Sequence, residues 1–124
     1  MQIRFDEAIP IYEQIMDLIK KKIALGEYQS GDKLPSQRKM ARKIEVNPNT
    51  IQRAYREMEN MGLVETRRGM GTFISDDQEV IGEIREEMVR EAVGNFVQEM
   101  FSLGYTGEEI IKKVIDFFEE EESE

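Results

Sequence analysis

Two segments decide how this chain folds: Leu34-Pro35-Ser36-Gln37-Arg38, and Val46-Asn47-Pro48-Asn49-Thr50-Ile51-Gln52-Arg53-Ala54-Tyr55. Ser36 is a good N-cap, and Gln37 to Ile44 make about two helical turns with Met40, Ala41 and Ile44 on the apolar side. Glu45-Val46 is the turn. Asn47 caps the next helix and Pro48 takes its first position, where a missing N–H costs nothing. Ile51, Ala54, Tyr55, Met58 and Met61 share the buried face of that helix, residues 48–61, and Gly62 suits the left-handed position past its end.

Outward from this pair, Pro10 suits the first position of an earlier helix whose apolar residues are Ile11, Tyr12, Ile15, Leu18, Ile19 and Ile23. Gly26 ends it, a turn-rich loop follows, and Lys33-Leu34 has the makings of a very short strand. Downstream, Leu63-Val64-Glu65-Thr66 and Thr72-Phe73-Ile74-Ser75 read as strands joined by Arg67-Arg68-Gly69-Met70-Gly71. Three helices and a hairpin in this order form a winged helix-turn-helix.

The chain has 124 residues, 40% of them apolar, which allows one ordinary domain or a small domain with an appendage. It has no Cys and no His, which excludes disulfides, thiolate zinc and imidazole chemistry. Carboxylates and lysines form no catalytic constellation, and there is no phosphate-cradling glycine loop, so no enzyme, cofactor or metal is expected. Acids interrupt Met1-Gln2-Ile3-Arg4-Phe5-Asp6-Glu7 before any apolar run. No stretch approaches the ~20 apolar residues of a membrane span, so a cytoplasmic location is expected.

The net charge of -9 is unevenly distributed. Residues 1–75 hold 13 Lys+Arg against 10 Asp+Glu, whereas residues 76–124 hold 4 against 16. Two parts with different roles are implied, 1–75 and 76–124; the winged helix-turn-helix makes the first the expected DNA-binding part and leaves the helical second part for dimerisation and a possible effector. Glu119-Glu120-Glu121-Glu122-Ser123-Glu124 reads as a solvated, disordered acidic tail.

The helix following the turn fits the major groove and presents its N-terminal residues to base edges. Asn49, Thr50, Gln52 and Arg53 face outward there; Asn and Gln match adenine N6/N7, and Thr can touch a thymine methyl. Arg53 and Arg56 lie where arginine meets phosphate. The free N–H groups after Ser36 and Asn47 favour phosphate, and Arg38 faces the groove edge. Arg67 and Arg68 precede Gly69 and Gly71, whose positive φ lets a slim tip approach the backbone or a narrow minor groove. With Gln37 and Thr72, these residues make the expected DNA-contacting set: Ser36, Gln37, Arg38, Asn47, Asn49, Thr50, Gln52, Arg53, Arg67, Arg68, Gly69, Gly71 and Thr72. A winged-helix protein-interaction module is the rival reading, motivated by the modest charge of residues 1–75.

These motifs, with Ile9-Pro10-Ile11-Tyr12-Glu13-Gln14-Ile15 and Gly62 through Phe73, resemble the GntR family of bacterial transcription regulators over roughly residues 3–75. The resemblance implies DNA contacts at Arg38, Asn47, Asn49, Thr50, Arg53, Arg67, Gly69 and Gly71. Some branches carry arginines early in the recognition helix, where this chain has Pro48 and Gln52, so their base preferences do not transfer. The Asn-Pro-Asn-Thr start resembles the YtrA subfamily and an aminotransferase-fused branch. About 50 residues follow the wing, too few for an aminotransferase domain, which leaves YtrA.

Residues 78–103 read as one helix, apolar over nearly half its circumference through Ile81, Ile84, Met88, Val89, Ala92, Val93, Phe96, Met100 and Leu103. Thr106 and Glu109 form a capping box opening a last helix with Ile110, Ile111, Val114, Ile115 and Phe118 on one side. One following helix cannot cover so much apolar surface, so a C2 homodimer is expected, as in the resembled subfamily. Its expected contact residues are Ile81, Ile84, Met88, Ala92, Phe96, Met100, Ile111, Ile115 and Phe118. The expected function is a repressor binding a pseudo-palindromic operator with half-sites about one duplex turn apart. Two helices offer little volume for a small-molecule effector, and Phe96, Phe101, Tyr105, Phe117 and Phe118 are assigned to core packing rather than to lining a pocket.

Overall fold

Seven elements follow one another as α1 (Ile11–Ala24), α2 (Gln37–Ile44), α3 (Pro48–Asn60), β1 (Val64–Arg67), β2 (Gly71–Ile74), α4 (Gln78–Ser102) and α5 (Gly107–Glu122). The computed structural model describes residues 4–123; Met1, Gln2, Ile3 and Glu124 lie outside the described residues. By compactness the chain divides into two units, Met1–Arg85 and Glu86–Glu124. The mainly helical winged architecture expected from the sequence is the one observed.

In the first unit, α1 starts one residue later than expected. Pro10 stands at its N-cap, with its carbonyl accepting from the N–H of Glu13 at 3.2 Å. β1 and β2 pair antiparallel, with Val64 opposite Ile74 and Arg67 opposite Gly71. The short Lys33 segment adds a bridge to Phe73, and the Leu34 N–H donates to the Thr72 carbonyl at 2.8 Å. Ile15, Ile19, Leu34, Met40, Ile51, Met58, Leu63 and Ile74 are fully buried and Val64 of β1 is buried beside them, so every element from α1 to β2 contributes to one core. Burial of each side chain this size contributes about 1.5–3 kcal/mol.

Three core assignments change. Met16, absent from the expected stripe, is buried, whereas Ile11 is 41% and Met61 40% exposed. Met61 lies past the last helical residue, and the chain reverses at Gly62 (φ +79°), so Leu63 enters the core in its place. The unit boundary also falls within α4, ten residues beyond the change in charge at Asp76, because Ile81 and Ile84 pack against the winged core.

In the second unit, Thr106 Oγ1 accepts from the Glu109 N–H at 3.3 Å, and Glu109 Oε1 accepts from the Thr106 N–H at 3.0 Å. The capping box is therefore complete. Glu119–Glu122 of the acidic run are helical rather than a disordered tail, since α5 continues through Glu122. Glutamate is a good helix former, and the Ser123 hydroxyl donates to the terminal carbonyls of Glu119 and Glu120. No helix among the described residues is long and apolar enough to cross a membrane.

Candidate nucleic-acid interface

Both helices of the central pair begin at side-chain caps. Ser36 Oγ accepts from the Lys39 N–H at 3.1 Å, and Asn47 Oδ1 accepts from the Asn49 N–H at 2.8 Å. Between them Glu45 adopts φ +55°, ψ +52°, a left-handed conformation that the turn demands and that non-glycine residues rarely take. Burial of Ile51, Ala54, Tyr55 and Met58 turns Asn49, Gln52, Arg53 and Arg56 to solvent, while Thr50 is half-buried. Ser36, Gln37, Arg38 and Asn47 are also exposed.

Arg53 is supported from below. Its guanidinium carbon lies 3.9 Å from the centroid of the Tyr12 ring, a cation–π contact that joins α3 to α1. Tyr55 anchors α3 in a second place: its phenol donates to the Pro35 carbonyl at 2.6 Å, just before α2. Burial, and secondarily the neighbouring Tyr28, pushes the Tyr55 phenol above its ordinary pKa.

The wing places its two arginines differently. Arg68 stands at the exposed tip with Gly69 and Met70, and the Met70 N–H closes the turn on the Arg67 carbonyl at 2.9 Å. Arg67 is the last residue of β1, not a tip residue. Its guanidinium lies 3.5 Å from Asp76 and 3.8 Å from Glu65, and over the Phe73 ring at 4.4 Å. Gly71 adopts φ +121°, open only to glycine without strain. Thr72 is half-buried within β2.

All thirteen residues expected to contact DNA lie in the first unit. The set expected for dimerisation is divided: Ile81 and Ile84 are half-buried and pack against the winged core. In the second unit Phe96, Ile111, Ile115 and Phe118 are exposed, as is Ala92, while Met88 and Met100 are half-buried. The aromatics do not form a closed core. Phe96, Tyr105, Phe117 and Phe118 help line an open apolar concavity of about 500 Å³ between α4 and α5, larger than expected for two helices.

Residues 11–74 match the family described as bacterial regulatory proteins, gntR family. The chain belongs to the GntR family. The GntR chain is 47% identical to an uncharacterised HTH-type transcriptional regulator, YhcF of Bacillus subtilis, covering 96% of this chain and 98% of that one. It is 38% identical to the HTH-type transcriptional repressor YtrA of the same organism, covering 90% and 85%. A solved GntR-family transcriptional regulator from Listeria monocytogenes superposes with TM-score 0.84 at 42% identity, over 90% of this chain and 98% of that one. The GntR chain is thus a DNA-binding transcriptional regulator, and its relatives are regulators, not enzymes.

Sequence reasoning missed Tyr12 as the support of Arg53, because spacing within one helix does not reveal contacts across two. It also passed over Lys33, Lys39 and Lys43, which border a concavity of about 530 Å³ beside Ser36. The four-residue spacing of Lys39 and Lys43 was the available signal.

Proposed function

We propose that this GntR-family protein is a cytoplasmic repressor that binds a pseudo-palindromic operator as a homodimer. In this reading residues 1–75 bind DNA and 76–124 hold the two copies together. The observation that carries it is the state of α3: Asn49, Gln52 and Arg53 are presented to solvent from a capped, core-anchored helix, with Arg53 held by Tyr12. Asn49 and Gln52 suit adenine, and Arg53 and Arg68 suit the backbone or a narrow groove. The exposed apolar residues of α4 and α5 support pairing of two copies, since an uncovered surface of that kind marks an interface.

Selection of bound duplexes from a random library with the full chain tests the reading. Two half-sites about one duplex turn apart are expected. Gel shifts on the selected site should weaken with Arg38→Ala, Arg53→Ala and Arg67→Ala, and unchanged binding in all three would overturn the site assignment. Light scattering should give twice the chain mass.

A further inference from the structure

The concavity beside Ser36 is bordered by three lysines from two segments. Lys33 comes from the bridge to β2, and Lys39 and Lys43 stand one turn apart on the exposed flank of α2. All three are exposed, none is ion-paired among the described residues, and no carboxylate lines the concavity. Around the helix, Lys39 and Lys43 are rotated by about 100° from Arg38 and Arg42, so they form a basic strip on a different flank of α2 from Arg38. Lys33 connects that strip to the wing: its Cε lies 2.7 Å from where a Cβ on Gly71 would stand.

Three like charges around one hollow repel each other and favour an anionic occupant. The neutral lining is Tyr28, Leu34, Pro35 and Ser36; the Ser36 oxygen already accepts from Lys39, which leaves its O–H to donate. Lysine is a compact point charge without the fork that reads a base edge, so it suits backbone phosphate. The strip runs from α2 to the second wing strand, and duplex DNA offers phosphates in just such a continuous series.

We propose that Lys33, Lys39 and Lys43 form a seat for the DNA phosphate backbone, distinct from the recognition helix and the wing tip. This rests on the operator-binding reading above. The seat strengthens binding to all sequences alike and carries no base preference.

The test uses the full chain and fluorescence anisotropy in a salt series, on the selected operator and on a scrambled duplex of equal length. The Lys33→Gln/Lys39→Gln/Lys43→Gln variant should reduce the salt slope by about 2.7, since each phosphate left unneutralised lowers it by about 0.9. It should weaken both duplexes by the same factor, with their ratio preserved, while Lys112→Gln on α5 leaves the slope unchanged. A thermal melt checks the fold of the triple variant, and Lys39→Glu alone should weaken binding more than Lys39→Gln. A full slope in the triple variant, or a loss confined to the operator, would overturn the proposal. So would a full slope combined with loss of inorganic phosphate binding, which would assign the seat to a free anion. If the wild type binds no duplex, the operator reading itself fails; if it binds and only the slope is unmoved, this proposal alone fails.

Discussion

The Arg53 guanidinium rests on the face of the Tyr12 ring, so a side chain of α1 orients one on α3. A cation–π contact at an exposed site is worth about 0.5–1 kcal/mol, or roughly two- to fivefold in affinity. Tyr12→Leu keeps the apolar bulk and removes the ring face. It should weaken operator binding by about that factor, whereas Tyr12→Phe should not. In a double-mutant cycle with Arg53→Ala, measured by anisotropy, the two losses should not add.

Tyr55→Phe removes the hydrogen bond to the Pro35 carbonyl. The expected loss is about 0.5–1.5 kcal/mol, read as a lower urea midpoint. The phenol also sets a pH dependence. Because burial, with Tyr28 second, raises its folded pKa, its contribution is fully present below the unfolded value of about 10 and is lost as pH rises beyond it. Alkaline denaturation curves of Tyr55→Phe should lack that component.

Glu45 occupies a left-handed conformation at the helix-turn-helix bend. Glu45→Gly relieves the clash between Cβ and backbone, and should stabilise the winged unit by up to about 1 kcal/mol. The measurement is the urea midpoint; a fall would show that the glutamate side chain contributes more than the turn strain costs.

The capping box opening α5 should fray in acid. The Thr106 backbone N–H, then its side chain, holds the Glu109 carboxyl below its ordinary pKa. That stabilisation is present above the unfolded pKa and is lost as pH falls through the folded one. Helical circular dichroism should decline on acidification in the wild type, and Glu109→Gln should flatten that part of the titration. Thr106→Ala should cost about 1 kcal/mol at neutral pH.

What the sequence disclosed, it disclosed through local chemistry. Ser36, Asn47-Pro48 and Gly62 punctuate α2 and α3 because capping depends on only a few neighbouring residues. The same holds for Thr106 and Glu109. Contacts between distant segments were not legible: Tyr12 under Arg53, Arg67 drawn to Asp76, and Ile81 and Ile84 packed on the winged core. The helicity of Glu119–Glu122 was obscured by its charge, which suggests solvation without determining backbone conformation. The lysine seat joins Lys33 to Lys39 and Lys43 only once the bridge to Phe73 has formed.

The pairing of Arg67 with Asp76 and Glu65 means that the wing carries an arginine already partnered by carboxylates in the free protein. To meet a phosphate it must exchange one anion for another, and the carboxylates it leaves then stand close to DNA. In the operator-binding reading, these exposed pairs cost Arg67 no more than about 1 kcal/mol each, a bias towards phosphates placed well enough to compete with two carboxylates.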